Sequence, residues 1–375
     1  MKKVLLTILS SCILCGCSNV TPEEPKQKTI EPQKEVQQKE VQKQVKNETD
    51  ENKIDLLTLF SSKTKSPDRA WVGTFQLVFN DMKNNIIKRD IKFVDITPTE
   101  ELIGLNNEEF NSSMLNESSY YTSYGETSPE AKEKIKKDIK RKFNETSDIL
   151  DMGDWERGIG KYYAYAMLKK KFEFLKEFDE LEEVSFNNSE EKFDFFGVKP
   201  DSNEDLDKNV RVLFYENENE YAVQLLTKND DIVYLYRTND DKSFETLYKA
   251  MIKKSNNYTG ARKFQEIDTL MVPELKVDLM RDYPELCEKE IEGTTPPMIF
   301  STAIETLKFE MDRKGGKIKS EALIMTDLAM VAPDFDKPKP RHFNFDKTFN
   351  LFLIDAGKEN PYAAFRIENL KKFQE

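Results

Sequence analysis

Histidine is almost missing from this chain: His342 is the only one among 375 residues. That removes most imidazole-based metal sites and every Ser-His or Cys-His triad that does not use His342. Basic charge is also in deficit, with 57 Lys and Arg against 69 Asp and Glu, a formal net charge of −12. Such a chain has no electrostatic footprint for nucleic acid, and no DNA or RNA partner is expected. Cysteine is scarce as well. Of the four, Cys12, Cys15 and Cys17 crowd the amino terminus and Cys287 stands alone, so no internal disulfide framework is expected. Long apolar runs are lacking too. The longest, Val4 to Leu14, is too short to span a bilayer. What the chain does have is bulk: 25 Phe and 14 Tyr, enough for a real core although 34% of residues are charged.

The apolar run follows Lys2 and Lys3 and reads as a secretory signal, residues 1–16, to be excluded from the fold. It ends in Leu14-Cys15-Gly16-Cys17-Ser18, which resembles the lipobox of bacterial lipoproteins. The resemblance implies cleavage after Gly16, lipid attachment to Cys17, and an extracytoplasmic protein held on the cell membrane. Each buried CH₂ of such an anchor contributes about 0.8 kcal/mol. Residues 17–53 are rich in Gln, Lys and Glu, carry the repeat QKEVQ, and have no aromatic residue. They cannot bury enough apolar surface to offset their ordering entropy, so they read as a disordered tether. Residues 54–375 are expected to form one domain.

Within that domain, Ser128-Pro129-Glu130 is a helix start: a capping hydroxyl, Pro in the first turn, then an acid at the positive end of the dipole. Ile135, Ile139 and Phe143 follow at helical spacing and predict a helix over Pro129–Phe143. Tyr162–Leu168 fits a buried strand, whereas Phe174, Leu175, Phe178 and Leu181 fit a helical face. Val210–Tyr215, Tyr221–Thr227 and Ile232–Arg237 are predicted strands, the last two joined by a hairpin link at Lys228–Asp231. Phe244, Leu247, Tyr248, Met251 and Ile252 mark an amphipathic helix capped near Ser243. Thr269–Val277 is expected to be one strand with Pro273 at an edge or bulge, followed by a helix within Asp278–Glu290. Ile299–Asp312 alternates like a long strand. A polar segment from Lys314 to Pro340 follows, then Phe349–Ile354, a turn at Gly357 and Tyr362–Ile367 as a closing hairpin. A connection that long in a compact domain is usually functional.

This closing series resembles the serpin family. The Phe-rich strand and turn stand as Phe343-Asn344-Phe345-Asp346 through Phe349–Ile354, with Ala363-Ala364-Phe365-Arg366-Ile367 as the final strand. Lys308 to Gly315 occupies the place of the family's central strand and hinge. Leu270–Val277 is similar to its Pro-containing strand, and Ala166 to Asp179 to its strand followed by Phe-Asp. The similarity covers roughly the last 210 residues. Arg69–Asn80 has no counterpart in it.

The resemblance implies an α+β fold, a serpin-like mixture of several β-sheets and helices. It also implies a reactive-loop-like segment within residues 315–342, carrying Gly315, Gly316, Ser320, Glu321, Ala322, Met325 and Met330. In active members such a loop is bait for a protease and inserts into the large sheet after cleavage. Insertion requires an inward face free of charge. Lys317, Lys319 and Glu321 share one parity, while Ile318, Ser320, Ala322 and Ile324 share the other. The functional expectation is a non-enzymatic binding protein of the cell envelope without cofactor or metal, its partner a protease or another envelope protein. A protease inhibitor using a bond within Ile324–Ala332 as bait, with Met325 or Met330 before the cut, is the alternative, and an unrecognised envelope enzyme the second alternative.

Three other patterns carry little. Gly158-Ile159-Gly160-Lys161 lacks the spacing of a phosphate loop and reads as a turn. Asp201, Asn203, Asp205 and Asp207 start like a calcium loop, but Leu206 and Val212 stand where Gly and Glu are needed. Trp71, Phe75 and Phe79 fall at helical spacing and read as one core stripe.

Overall fold

A computed structural model describes residues 53–64, 66–202, 205–319 and 339–374. The architecture is α+β, with four α-helices and several sheets among these residues.

The carboxyl-terminal hairpin is its centre. Strands β18 (Phe349–Ile354) and β19 (Pro361–Ile367) are buried along their whole length, and Gly357 turns the chain between them at φ 66°. On one side β19 pairs with β2 (Arg69–Val72), which runs parallel to β1 (Asp55–Leu57). On the other side β18 pairs with β12 (Ile232–Arg237), then β11 (Glu220–Leu226) and β10 (Val210–Asn217) complete a seven-stranded sheet. All three predicted strands between 210 and 237 therefore form, and the link at Lys228–Asp231 is the turn between β11 and β12. Arg69–Asn80 has a clear role here: it is β2, which shields the terminal hairpin, followed by helix α1 (Thr74–Asp81).

Two four-stranded sheets flank this one. The first has the order β17 (His342–Asn344), β13 (Thr269–Pro273), β9 (Phe195–Val198) and β6 (Asp179–Glu180), with β17 parallel to β13. The second has the order β14 (Leu275–Asp282), β15 (Ile304–Asp312), β16 (Gly315–Ile318) and β5 (Lys170–Glu173), antiparallel throughout. Two two-stranded pairs remain: β3 (Tyr120–Glu126) with β4 (Tyr162–Leu168), and the short β7 (Val184–Ser185) with β8 (Lys192–Phe193). The large core lies between the seven-stranded sheet and its neighbours, where Phe309 of β15 stacks on Phe365 of β19 at 4.7 Å.

The helices follow local rules. Helix α3 (Pro129–Phe143) has its predicted limits; the Ser128 hydroxyl accepts from the Ala131 N–H, and Ile135, Ile139 and Phe143 face inward. Helix α4 (Phe244–Asn257) starts at Ser243, whose hydroxyl accepts from the Thr246 N–H. The short helix α2 (Glu100–Asn106) is capped by Thr99.

Several expectations are corrected. Thr269–Val277 is two strands in two sheets. Pro273 closes β13, a central strand of its sheet, and the chain crosses to β14 at Leu275. The helix expected from Asp278 does not form. Leu275 and Val277 are buried while Lys276 and Asp278 are exposed, a two-residue period fixed by pairing with β15. The long strand is shorter than predicted: β15 starts at Ile304, and Ile299 is 54% exposed with only an isolated bridge to Glu290. Phe174–Leu181 is not helical; Phe174 and Phe178 instead pack edge to face, 5.0 Å apart, beyond β5. Trp71, Phe75 and Phe79 are all buried but form no single stripe. Trp71 lies on β2 in the large core, while Phe75 and Phe79 lie on α1 in a second core with Tyr283.

Candidate functional site: a slot between two strands

The segment expected to be a polar loop from Lys314 onward starts as a strand. Asp312 and Gly315 close a tight turn, and β16 runs back along β15, wedged between β15 and β5. Two glycines allow this. A Cβ on Gly315 would lie 2.2 Å from the carbonyl oxygen of Phe172, and the residue holds φ 151°. A Cβ on Gly316 would lie 2.5 Å from the Phe172 ring. Both positions therefore need glycine for close approach, and Gly315 also for backbone freedom.

The alternation of β16 answers the parity question raised by the sequence. Ile318 is fully buried in the large core, whereas Lys317 points outward and pairs with Glu310 at 2.7 Å. Lys319 continues the ladder, its N–H donating to the Lys308 carbonyl at 3.2 Å. Its ammonium reaches the Asp148 carboxylate at 3.0 Å and the Thr146 carbonyl at 2.9 Å.

Beyond Lys319 the sheet is open among the described residues. β4 pairs with β3 on one edge only, and the part of β15 from Ile304 to Leu307 pairs only with β14. Between these two edges lies a cavity of about 210 Å³, walled by α1, by β4 and β15, and by the stretch from Ser147 to Trp155 after α3.

Glu305 of β15 lines that cavity. Among the described residues it is the acid on the buried face of this strand, between Ala303 and Leu307. The Tyr283 hydroxyl donates to its Oε2 at 2.7 Å, and the Phe75 N–H donates to Oε1 at 3.0 Å, with the Thr74 hydroxyl at 3.2 Å. Glu305 thus caps α1 from another element, for Gly73 offers no capping side chain. Burial raises its pKa to about 7, against the opposing pull of these three donors. A folded-state pKa above the ordinary carboxylate value means stability that is complete below about 4.5 and is lost as pH rises through about 7. The size is about 3 kcal/mol, from about 1.4 kcal/mol per unit. Glu305→Gln keeps the shape and removes the ionisation. Urea midpoints at pH 5 and pH 8 should therefore differ less in the variant than in the parent chain, and an unchanged difference would assign the slope elsewhere.

Behind the slot, Lys170 of β5 is buried and ion-paired to Asp231 and, at 3.3 Å, to Asp355. Asp355 also accepts from the N–H and the side-chain amide of Asn116 at 2.8 and 2.7 Å. The cluster joins β5, the β11–β12 turn and the residue after β18.

Of the sequence-predicted site residues, Gly315 and Gly316 are brought into β16. Ser320, Glu321, Ala322, Met325, Met330 and the lipid-attachment residue Cys17 lie outside the described residues. His342 is exposed on β17 with its Nδ1 2.9 Å from the Thr269 hydroxyl. Asp205 is taken up by Lys176 and Lys208, whose hydrogen bonds hold its pKa at about 2. No cluster with metal-binding spacing occurs among the described residues. Gly158–Lys161 is a turn, with Gly160 at φ 75°. Cys287 is a free thiol whose pKa is raised by burial, the reverse of an activated nucleophile. Glu305 and the Lys170 cluster were missed. The signal for Glu305 was there, a single acid on an apolar parity.

No family model matches the chain, and no curated protein matches its sequence. Solved structures are similar to it over part of its length. A highly specific serpin of the insect Tenebrio molitor, Serpin48, is 12% identical with a TM-score of 0.38, covering 75% of this chain and 72% of that one. Cleaved Serpin 42Da is 12% identical with a TM-score of 0.43, covering 64% and 66%. A second crystal form of the latter gives 11% and 0.39, with 64% of each chain covered. Each is a structure this chain is similar to.

Proposed function

We propose that this protein acts by recognition: a non-enzymatic interaction protein of serpin-like construction, anchored at the cell envelope through lipid on Cys17, that offers the segment between Lys319 and Arg341 to a partner protein. The observation that carries this reading is where that segment is moored. It leaves from β16, wedged inside one sheet, and returns at β17, the edge strand of another. Both of its attachment points are therefore set by paired strands of separate sheets, which fixes where a partner would meet it.

A second reading, protease inhibition by strand insertion, is favoured by a specific observation. The register of β16 can continue without shifting. It would place Ser320 between Leu307 and Leu168, Ala322 between Glu305 and Ala166, and Ile324 between Ala303 and Ala164. These residues share the inward parity of Ile318, and none is charged. In this reading either Met325 or Met330 precedes the cleaved bond.

One experiment separates the two. The purified chain, without residues 1–53, is mixed with a panel of serine and cysteine proteases. An inhibitor gives a covalent complex that survives denaturing electrophoresis, and the nicked protein melts well above the intact one. A binding protein gives neither. Cleavage between Lys319 and Arg341 with no rise in melting temperature would end the insertion reading. Complete resistance of that segment to every protease at native temperature would count against presentation itself.

A further inference from the structure

The open half of the slot has the chemistry of a binding site. Aromatic rings line it: Phe75 from α1, Tyr163 and Tyr165 from β4, and Trp155. Trp155 and Tyr163 lie 5.0 Å apart with planes inclined at 51°, and Tyr163 is fixed by a 2.9 Å hydrogen bond between its hydroxyl and that of Ser123. Three acids line the same space, Asp148, Asp154 and Glu305, against one base, Lys319. Two of the acids already have cations: Lys319 holds Asp148 at 3.0 Å, and Lys161 holds Asp154 at 2.7 Å. Glu305 has none within ion-pair distance among the described residues. Arg281, whose field reaches it, is bound instead to the Leu56 carbonyl and to Glu285. Its three donors are neutral, and Oε2, with one donor, keeps a second acceptor position. A buried carboxylate without a counter-charge is costly, and a cation brought beside it relieves that cost. Aromatic faces attract the same cation and repel an anion.

We propose that this cavity binds a small hydrophobic organic cation, an amine or quaternary ammonium, with the aromatic rings as its walls and the Glu305 carboxylate as its counter-charge. The proposal goes beyond the recognition reading: it rests on the cavity, not on residues 320–338, and its test involves no protease, so either can fail alone. A ligand seated there would also block continuation of the β16 register past Lys319.

The test uses three probes of one shape class at pH 8: benzyltrimethylammonium, its uncharged isostere neopentylbenzene, and phenylacetate. Binding is read by tryptophan fluorescence and by calorimetry; the chain has two tryptophans, so Trp155→Phe identifies the reporting one. The cation should bind at least tenfold more tightly than the neutral isostere, and phenylacetate should bind least. Glu305→Gln should erase the preference of cation over isostere while leaving the isostere unchanged. If that variant does not fold, Tyr163→Leu serves, with several-fold weaker cation binding expected. Equal affinity for cation and isostere, tighter binding of phenylacetate, or no binding by any probe would each overturn the proposal, as would a cation preference that survives Glu305→Gln.

Discussion

Gly315→Val should loosen β16 in its sheet and raise its local opening while leaving the rest of the domain folded. The new Cβ would sit 2.2 Å from the Phe172 carbonyl oxygen and 2.8 Å from the Glu173 Cα. Both are backbone atoms, so no rotamer change relieves the clash. The φ of 151° adds strain for any branched residue. Overpacking a rigid site costs about 1–3 kcal/mol; opening of β16 relieves that strain, so the free energy of opening falls by the same amount. Release loses the burial of Ile318, about 2 kcal/mol, and ladder bonds on both edges at about 1 kcal/mol each. The expected result is a loss of hydrogen-exchange protection at Lys317 and Ile318 of about tenfold to a hundredfold. The seven-stranded sheet, which shares no hydrogen bond with β16, should keep its protection. Unchanged protection of β16 would show that its seat is looser than the geometry states. Gly316→Val meets a side chain first, the Phe172 ring, which can turn aside, so its effect should be smaller.

The second large effect is expected at Lys170. Lys170→Ala leaves Asp231 and Asp355 buried without their shared cation. Removing one partner of a buried ionic cluster costs about 3–5 kcal/mol, because the remaining charges lose compensation and not merely attraction. Asp231 is the more exposed to this loss. Burial already lifts its pKa to about 7, and Lys170 is the main influence that lowers it. Asp355 keeps the two Asn116 donors. A shift of the urea midpoint to lower concentration, with unchanged slope, measures the cost. Adding Asp231→Asn to a Lys170→Met background should restore a substantial part of it. A single variant as stable as the parent chain would mean that water enters the cluster and solvates the carboxylates.

These two positions differ in how far the sequence exposed them. Gly315 and Gly316 were visible as a glycine pair after an alternating strand, in a place the serpin resemblance marks as a hinge. Their need for close approach was not visible, because the Phe172 atoms they meet are more than a hundred residues earlier. Lys170 was not visible at all. A lysine within Lys169-Lys170-Lys171 reads as surface charge, and only the strand register turns the middle one inward. The error at Asp278–Glu290 has the same cause. Its apolar spacing suits a helix or a strand, and the strand β15 decides between them.

The amino-acid order alone specified what depends on near neighbours. It set the cap and both limits of α3, the start of α4, the three strands from 210 to 237, and the buried terminal hairpin with its glycine turn, because capping and alternation act over two to four residues. Tertiary structure alone decided the slot: that residues just past Arg313 become a strand, that Ile318 faces the core, that Glu305 caps a helix 230 residues away, and that β4 and β15 stand apart. Those outcomes depend on which edges meet, and backbone pairing across long separations leaves no local mark in either segment.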